Sequence, residues 1–328
     1  MKEIRLGTIG SGMIVHEILD GVQVTEGIRL EAVYSRSAGT GRALADAYGA
    51  KKVYTDLEAF FADENVNFVY IASPNSLHYA QARQALLAGK NVICEKPFCA
   101  KASQAKELVQ LARERGLFLV DAVPTAFLPN FQVVKRELEK VGRIRLVLSC
   151  FSQYSSRYDR LLAGEVPNVF RPEFAGGCLM DINFYNVYLN VSLFGKPENA
   201  VYYPNRFGDL VDTSGVLVMQ YPDFVSQCAG AKDTWGVNSV QIQGEKGYLY
   251  IKDGSGAFSE VTVVTKTARE TINLQPCENR WRYEVEEMTR RLLSEDRAFF
   301  DKNLEIMIQV MEVLEQTRKQ AGILFPGD

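Results

Sequence analysis

A glycine-rich turn close to the start of the chain constrains the fold more than any other feature. An apolar run from Ile4 to Ile9 precedes Gly10-Ser11-Gly12, and a helical pattern of apolar residues follows. Gly10 can adopt a backbone conformation that a side chain would forbid, and Gly12 allows the main chain to approach a ligand. Free N–H groups at the start of a helix attract anions such as a pyrophosphate. The stretch therefore predicts a strand, a turn and a helix that together bind a dinucleotide.

The match to the dinucleotide-binding pattern G-x-G-x-x-G is partial, because Val15 occupies the third glycine position. That glycine serves the close packing of the helix against the sheet, so Val15 weakens only this packing role. The candidate cofactor site includes Met13 and Ile14 at the start of the helix. The alternative interpretation is a tight turn that binds nothing.

Strand and helix patterns alternate through the first part of the chain, which favours a doubly wound parallel sheet of the Rossmann type. The candidate strands are residues 4–9, 28–34, 52–54, 67–72, 91–94 and 117–120. The pattern also predicts that Ser103 caps the helix that runs to Arg115. Ligands bind such sheets beyond the carboxyl ends of the strands. Those ends carry the residues that we assign to the ligand: Gly10, Ser35, Ser73-Pro74-Asn75 and Glu95-Lys96.

The end of the second strand indicates which cofactor is bound. An acid at this position would bind the ribose 2′-hydroxyl of NAD, whereas a nearby arginine accommodates the 2′-phosphate of NADP. Ser35 and Arg36 occupy the position. We therefore predict NADP in preference to NAD, and the alternative is that Arg36 is a solvated surface charge.

Glu95, Lys96 and Pro97 follow a buried strand and lie at the rim of the predicted cleft. A lysine there can donate a hydrogen bond to a substrate oxygen and favour the negative charge that develops on an alkoxide. Pro97 fixes the local backbone. From spacing alone, a surface salt bridge at the end of the strand is an equally good interpretation.

The length of 328 residues favours two domains, which we place at residues 1–123 and 124–328. The second part contains short strands separated by turns, so we predict an α+β domain with an open, mainly antiparallel sheet. Its candidate strands are residues 145–151, 215–221, 224–230, 239–243, 248–251 and 259–265. Helical patterns cover residues 133–141, 281–293 and 303–320.

Composition excludes several classes of function. The net charge of −3 provides no basic surface for nucleic acid, and no apolar run is long enough for a membrane span. The six cysteines form no C-x-x-C pair, so we interpret them as reduced thiols of a cytoplasmic protein. The only histidines are His16 and His78, which argues against a His-rich zinc site. Composition therefore argues against nucleic-acid binding, a membrane span and a His-rich zinc site.

Four motifs, in their order and spacing, resemble those of the Gfo/Idh/MocA oxidoreductases. They are Gly10-x-Gly12-x-x-Val15, Ser73-Pro74-Asn75-x-x-His78, Glu95-Lys96-Pro97 and Gly176-Gly177-x-x-x-Asp181-x-Asn183-x-Tyr185. The resemblance covers nearly the whole chain. It implies a first domain that binds NAD(P) and a reaction that oxidises or reduces small molecules (sugars, polyols or dihydrodiols) without a metal. It also implies a homo-oligomer, such as a homodimer, in which a partner subunit covers the open sheet.

By the same resemblance, Lys96, Asp181 and Tyr185 face the nicotinamide and carry the chemistry. We assign the cofactor site to Gly10, Gly12, Met13, Ile14, Ser35, Arg36, Ser73, Pro74, Asn75, His78, Glu95 and Lys96. The chain departs from the family pattern at Asn183, where Gly is usual, and at Tyr185, where His is commoner. Residues 121–129 also lack an arginine that related dehydrogenases carry. These departures concern the substrate more than the hydride chemistry.

Asp181 and Tyr185 are separated by four positions on a single predicted helix, which places them on one face. Together with Lys96 they can relay a proton, because a neighbouring cation helps a phenol to ionise. The alternatives are a helix-start charge for Asp181 and a half-buried aromatic for Tyr185. The predicted function is an NAD(P)-dependent oxidoreductase that acts on CH–OH groups. The alternative function is a non-catalytic regulator that senses a dinucleotide.

Overall fold

The computed structural model of the chain describes residues 2–277 and 279–328. Within these residues the chain forms two compact units. The first contains residues 2–99, Ser103–Phe127 and Asn279–Met307, and the second contains Ala100–Ala102, residues 128–277 and Ile308–Asp328. The domain boundary at residue 123 stays a prediction.

A six-stranded parallel sheet forms the centre of the first unit. Its strands are Ile4–Ile9 (β1), Ile28–Tyr34 (β2), Lys52–Tyr54 (β3), Phe68–Ile71 (β4), Asn91–Glu95 (β5) and Leu119–Ala122 (β6). The helices between and after them are Met13–Val24 (α1), Ala38–Tyr48 (α2), Leu57–Phe61 (α3), Asn75–Leu87 (α4), Ala102–Glu114 (α5) and Pro124–Phe127 (α6). The strand order is β3-β2-β1-β4-β5-β6, which is the doubly wound arrangement predicted from the sequence.

The predicted cap of α5 is wrong. The helix begins at Ala102, so Ser103 lies inside its first turn. The amide of Ala102 donates a hydrogen bond of 2.8 Å to the carboxylate of Glu315. A distant acid therefore binds the first amide of the helix, and sequence spacing could not reveal this contact.

An eight-stranded sheet forms the centre of the second unit, in the order β14-β13-β12-β11-β7-β10-β9-β8. Its strands are Ile144–Ser152 (β7), Asn199–Arg206 (β8), Asp212–Gln220 (β9), Val225–Ala231 (β10), Ser239–Gly244 (β11), Gly247–Lys252 (β12), Glu260–Thr265 (β13) and Arg269–Ile272 (β14). All neighbouring strands are antiparallel except β7 and β10, which run parallel. The predicted open, mainly antiparallel sheet is confirmed.

The helices of the second unit begin with Pro129–Glu137 (α7), which a 3₁₀ turn extends to Val141. Tyr158–Leu162 (α8), Cys178–Asp181 (α9), Asn183–Phe194 (α10) and Gly254–Ala257 (α11) follow. Of these, α10 packs on the sheet against β10 and β7. Its residues from Asn183 to Val191 are all buried.

Two long helices follow β14. They are Arg280–Leu293 (α12) and Arg297–Gln320 (α13). Within the first unit, α12 packs against α1 and α6. None of the helices formed by residues 2–277 and 279–328 has the length and apolar character that a membrane span requires.

Candidate active site

The candidate cofactor site lies along one edge of the parallel sheet, where the carboxyl ends of four strands are level. Ile9 on β1 pairs with Tyr34 on β2 and with Ile71 on β4, and Ile71 pairs with Cys94 on β5. From β1 the chain builds β2 and β3 on one side and then crosses to β4 on the other. Doubly wound sheets bind ligands in the crevice at such a reversal.

The two glycines of the first turn have different roles. Gly10 has a φ of +122°, and an added Cβ would lie 2.6 Å from the carbonyl oxygen of Ala72. The turn itself therefore needs Gly10. At Gly12 a Cβ would meet no heavy atom within 4 Å, so the space before α1 is open. Gly12 is the N-cap residue, and none of the described side chains caps α1, which leaves its first N–H groups available to a pyrophosphate.

The three residues that follow Gly12 divide between the site and the core. Met13 is 80% exposed and Ile14 is half-buried, so both can border a ligand at the start of α1. Val15 is fully buried. The third glycine of the general pattern is therefore replaced by a side chain that packs into the core, as the sequence suggested.

The end of β2 carries a cation and no acid. The Ser35 hydroxyl accepts a hydrogen bond from the amide of Ser37, and the Ser37 hydroxyl in turn caps α2. Arg36 is exposed and forms no hydrogen bond or ion pair with residues 2–277 and 279–328. A guanidinium without a competing carboxylate suits a phosphate. The residues at this end therefore fit the 2′-phosphate of NADP.

His78 connects two loops of the candidate cofactor site. It is buried on α4, and its Nε2 and Nδ1 lie 2.8 Å and 2.9 Å from the carbonyl oxygens of Ser73 and Pro97. The Ser73 hydroxyl donates to the Gln81 side chain, and Pro74 precedes the first turn of α4 at Asn75. Burial lowers the pKa of His78. Because both ring nitrogens face the main chain, His78 holds the loops in place, and its contact with the cofactor stays a prediction.

A buried acid at the end of β5 forms a hydrogen bond with the loop that follows the strand. Glu95 accepts a hydrogen bond of 2.7 Å from the Tyr70 hydroxyl, and its other oxygen accepts from the amide of Lys96 at 3.2 Å. The peptide bond between Lys96 and Pro97 is cis. Since Glu95 is only 7% exposed, it is not the surface charge of the alternative interpretation.

Two further buried acids lie near this loop, and the sequence analysis assigned neither. Asp121 ends β6 beside β5, and Glu284 lies on α12 with both carboxylate oxygens unpartnered among the described residues. Burial raises the pKa of Asp121 to about 7 and, with the charge of Glu95, raises that of Glu284 well above its usual range. The position of Asp121 at a strand end was a usable signal, whereas the core position of Glu284 offered none.

The variant Asp121→Asn should change how stability depends on pH. An acid whose pKa is raised on folding binds more protons in the folded state, so stability falls as pH rises from the unfolded pKa to the folded one. For Asp121 this window runs from 3.8 to about 7. Relative to the natural chain, the free energy of unfolding of the variant should rise by up to ~1.4 kcal/mol per pH unit across this window. Above the window the difference should stay constant. Urea unfolding at a series of pH values measures this, and a difference that does not vary with pH would contradict it.

In the second unit, a buried aspartate holds the start of α9. Gly177 has a φ of +110°, and an added Cβ would clash with the carboxylate of Asp212 on β9. Asp212 accepts hydrogen bonds of 2.6 Å from the amide of Leu179 and from the Tyr202 hydroxyl. Burial raises the pKa of Asp212 to about 6, and these hydrogen bonds oppose the shift. The glycine of the motif is therefore required by the aspartate that caps the helix.

The single helix predicted to carry Asp181 and Tyr185 is wrong. The chain forms two consecutive helices that break at Ile182, and the amide of Tyr185 bonds the carbonyl of Ile182 instead of that of Asp181. Asp181 ends α9 with a side chain 28% exposed, and Tyr185 is 6% exposed in the first turn of α10. The spacing of the motif did not show this break.

The sequence analysis also missed the direct partner of Asp181. Lys232, immediately after β10, forms an ion pair with Asp181 Oδ2. The side chain of Lys232 is 6% exposed. A lysine that directly follows a strand was a weak signal for this role. The second unit therefore brings Asp181 and Lys232 together, while the meeting of Lys96 with Asp181 and Tyr185 stays a prediction.

Asn183, which departs from the family motif, has a structural explanation. It is buried, and its side-chain amide donates to the carbonyl of Cys228 at 3.0 Å. Its Oδ1 accepts from Asn186, which also donates to Ala229. Opposite it stands Gly230, where an added Cβ would lie 2.8 Å from the Cβ of Asn183. The absent side chain of Gly230 thus provides the room that Asn183 needs.

The variant Gly230→Ala should therefore destabilise the chain. The additional substitution Asn183→Gly should reduce this destabilisation, because it makes room for the new methyl group. Overpacking of this kind costs about 1–3 kcal/mol. Asn183→Gly alone should also destabilise, because it removes buried hydrogen bonds. We expect the double variant to be more stable than the sum of the single effects, by about 1 kcal/mol or more. Urea unfolding of all four proteins tests this, and strictly additive effects would show that the two positions are independent.

Comparisons with known proteins show which families and proteins this chain is similar to. A family model described as "Oxidoreductase family, NAD-binding Rossmann fold" matches residues 4–121. A second, described as "GFO/IDH/MocA C-terminal domain", matches residues 131–250. The scyllo-inositol 2-dehydrogenase (NADP(+)) IolU of Bacillus subtilis (strain 168) is 35% identical over 99% of each chain. The trans-1,2-dihydrobenzene-1,2-diol dehydrogenase of Sus scrofa is 27% identical over 99% of each chain.

Among solved structures, a 3-ketoreductase from Actinomadura kijaniata in complex with NADP and TDP-benzene has a TM-score of 0.85. It is 21% identical, and the match covers 97% of each chain, so it shows the shared fold. With the sequence matches, these findings confirm the predicted Rossmann fold and an NAD(P)-dependent oxidoreductase. None of them favours the alternative of a regulator without catalysis.

Proposed function

Because the chain belongs to the GFO/IDH/MocA oxidoreductase family, we propose that it transfers a hydride between NADP(H) and a sugar, polyol or diol. The reacting carbon is a secondary alcohol or the corresponding ketone, on a ring that carries a neighbouring hydroxyl. Two relatives support this class of substrate, since one is named for scyllo-inositol and the other for a dihydrobenzenediol. Both names describe six-membered rings with adjacent hydroxyl groups.

The observation that carries the proposal is the pair of Asp181 and Tyr185 at the junction of two helices. They provide a carboxylate that is partly exposed and a phenol that is packed against Phe151 at a ring distance of 5.6 Å. An alcohol loses its hydroxyl proton as it is oxidised, so the reaction needs a positioned acceptor. We assign that acceptor to the phenolate of Tyr185, which becomes a neutral phenol as it takes the proton. Lys96 donates a hydrogen bond to the oxygen of the reacting alcohol and stabilises its negative charge, and Asp181 orients the substrate through the neighbouring hydroxyl.

The cofactor site is proposed from residues of the first unit that fit NADP. Gly10, Gly12 and the first turn of α1, with Met13 and Ile14, would hold the pyrophosphate. Ser35 and Arg36 would hold the 2′-phosphate, in agreement with a relative named for NADP. Ser73, Pro74, Asn75, His78 and Glu95 would shape the loops beside the nicotinamide. When it is bound, the nicotinamide supplies or accepts the hydride.

A substrate screen tests the proposed function. Cyclic polyols, vicinal ring diols and open-chain sugars are each incubated with the protein and NADP, and the absorbance of the reduced nicotinamide is followed. We expect turnover on ring substrates with adjacent hydroxyls and much weaker turnover on simple secondary alcohols. Tight binding of NADP without turnover on any compound of the panel would contradict the proposal.

We also propose a homodimer that covers the outer face of the eight-stranded sheet. One register row on this face joins Tyr203, Val216, Ala229 and Cys150 across four strands, and Tyr203 is 64% exposed. The opposite face is covered by α10. An exposed apolar sheet face is typical of a subunit interface. Sedimentation equilibrium should give twice the mass of the chain, and a monomer at micromolar concentration would contradict the proposal.

The compartment is a separate proposal. All six cysteines are free in the structure, which favours the reducing environment of the cytoplasm. Fractionation of the producing cells tests this, and recovery of the protein outside the cytoplasmic fraction would contradict it.

A further inference from the structure

Lys232 is a buried cation with one carboxylate partner. Its side chain is 6% exposed and forms an ion pair with Oδ2 of Asp181. A buried charge is tolerated only when a partner compensates for the lost hydration. The fold has therefore placed an ammonium directly against a carboxylate that we assign to the reaction.

The backbone of Lys232 is fixed on both sides. Its amide donates to the carbonyl of Thr213 on β9, and its carbonyl accepts from the amide of Ser155 after β7, each at 2.8 Å. These bonds continue the sheet by one residue beyond β10. The backbone of Lys232 is therefore fixed, and its ammonium lies beside the end of α9.

Other ionisable groups surround the pair, and the acids among them have partners of their own. They are Asp212 on β9, Asp233 after β10, Cys178 on α9 and Tyr202 on β8. Asp212 accepts from the Tyr202 hydroxyl and the Leu179 amide. Asp233 accepts from the hydroxyls of Thr213 and Ser214 at 2.6 Å and 2.9 Å. The direct ion pair of Lys232 is thus made with Asp181 and not with these neighbours.

We propose that Lys232 is a positioning residue of the reaction, which keeps Asp181 ionised and fixes its orientation. This inference rests on the proposed role of Asp181. Held by the ammonium, Asp181 remains a carboxylate during turnover and accepts a hydrogen bond from the substrate hydroxyl that neighbours the reacting one. It does not exchange protons, so the proton of the alcohol passes to Tyr185. Lys232 acts through Asp181 and has no substrate contact of its own.

The test is the pH profile of kcat/KM for the natural chain, Lys232→Met and Lys232→Arg. An adjacent cation lowers the pKa of a carboxylate by about 1–3 units, so its loss should move the acidic limb of the profile to higher pH by at least about one unit. Below that limb, Lys232→Met should be about 10–100-fold slower than the natural chain, and at high pH the difference should shrink. Lys232→Arg should keep the natural profile, because it keeps the charge.

A matched control comes from the other unit. Lys90 is also buried, and its ammonium donates to the carbonyl oxygens of Asp63 and Val66 at 2.7 Å and 2.8 Å. Lys90→Met should lower stability without moving the acidic limb. Should Lys232→Met fail to fold, Lys232→Gln retains a hydrogen-bond donor without the charge and should move the limb in the same direction.

The outcomes separate this inference from the proposed function. An Asp181→Asn variant with strongly lowered but measurable turnover, together with an unshifted limb in Lys232→Met or Lys232→Gln, would overturn the role of Lys232 alone. Normal turnover by Asp181→Asn would instead overturn the role of Asp181 in the reaction, and the inference with it. In the Asp181→Asn background, Lys232→Met should leave the pH profile unchanged, because its target carboxylate is gone.

Discussion

Replacement of Tyr185 by Phe, or of Lys96 by Ala, should lower kcat by about 10²–10⁴-fold, the usual contribution of a positioned acid–base group. Tyr185→Phe removes the phenolic oxygen that, when ionised, takes the proton of the alcohol, and Lys96→Ala removes the charge that stabilises the oxygen of that alcohol. Neither change touches the turn at Gly10 or the first residues of α1. The dissociation constant of NADP should therefore change much less than kcat, even for Lys96→Ala, although Lys96 is also assigned to the cofactor site. Steady-state kinetics on the best substrate of the screen and titration of NADP fluorescence measure both quantities.

Tyr221→Phe is the matched control for this experiment. Tyr221 is 4% exposed in the same unit as Tyr185, and its hydroxyl donates to the carbonyl of Gly195 at 3.1 Å. The control removes a buried phenolic oxygen of similar environment outside the proposed site, so kcat should stay close to that of the natural chain. Near-normal turnover of both Tyr185→Phe and Lys96→Ala would rule out the proposed acid–base groups.

The variant Arg36→Asp should reverse the cofactor preference. The guanidinium at the end of β2 is proposed to bind the 2′-phosphate, and hydrogen bonds to charged groups contribute about 1.5–3 kcal/mol. Their loss should weaken NADP binding by about 10–100-fold. The new carboxylate can accept from the ribose hydroxyls of NAD, so NAD binding should be kept or improved. Titration with both cofactors gives the ratio of the two dissociation constants.

Arg42→Asp provides the same change of charge at an exposed position on α2. It controls for the general effect of charge on a phosphate ligand, which should be small at physiological salt. An equal loss of NADP affinity in both variants would show that Arg36 acts only through the overall electrostatic field of the protein and not by direct contact with the 2′-phosphate. An unchanged ratio of NADP to NAD affinity in Arg36→Asp would refute its assignment.

Much of the parallel sheet could be predicted from the sequence, because its strands are buried on both faces and read as continuous apolar runs. The strands Ile4–Ile9 and Ile28–Tyr34 have the predicted bounds. The two strands that the prediction missed are the edges of the second sheet, Asn199–Arg206 and Arg269–Ile272. Both are largely exposed, and the first contains Pro204, so neither shows the pattern of a buried strand.

The candidate site likewise contains residues that could be predicted from the sequence and residues that could not. Gly10, Gly12 and Arg36 could be proposed from the chain alone, because turn chemistry and strand ends are local features. Lys232 could not, since it meets Asp181 across 51 positions of sequence through the pairing of strands. The match between Asn183 and Gly230 is of the same kind. Such contacts depend on how distant segments pack together, and a single sequence does not show which distant residues meet.

A crystal structure of the chain with NADP and a substrate bound would test the central claim most directly. We predict that the ammonium of Lys96, the carboxylate of Asp181 and the hydroxyl of Tyr185 all surround the substrate oxygen next to C4 of the nicotinamide. We also predict that the 2′-phosphate lies against Arg36. A complex in which the three groups are dispersed, or in which the nicotinamide contacts none of them, would contradict the proposed mechanism.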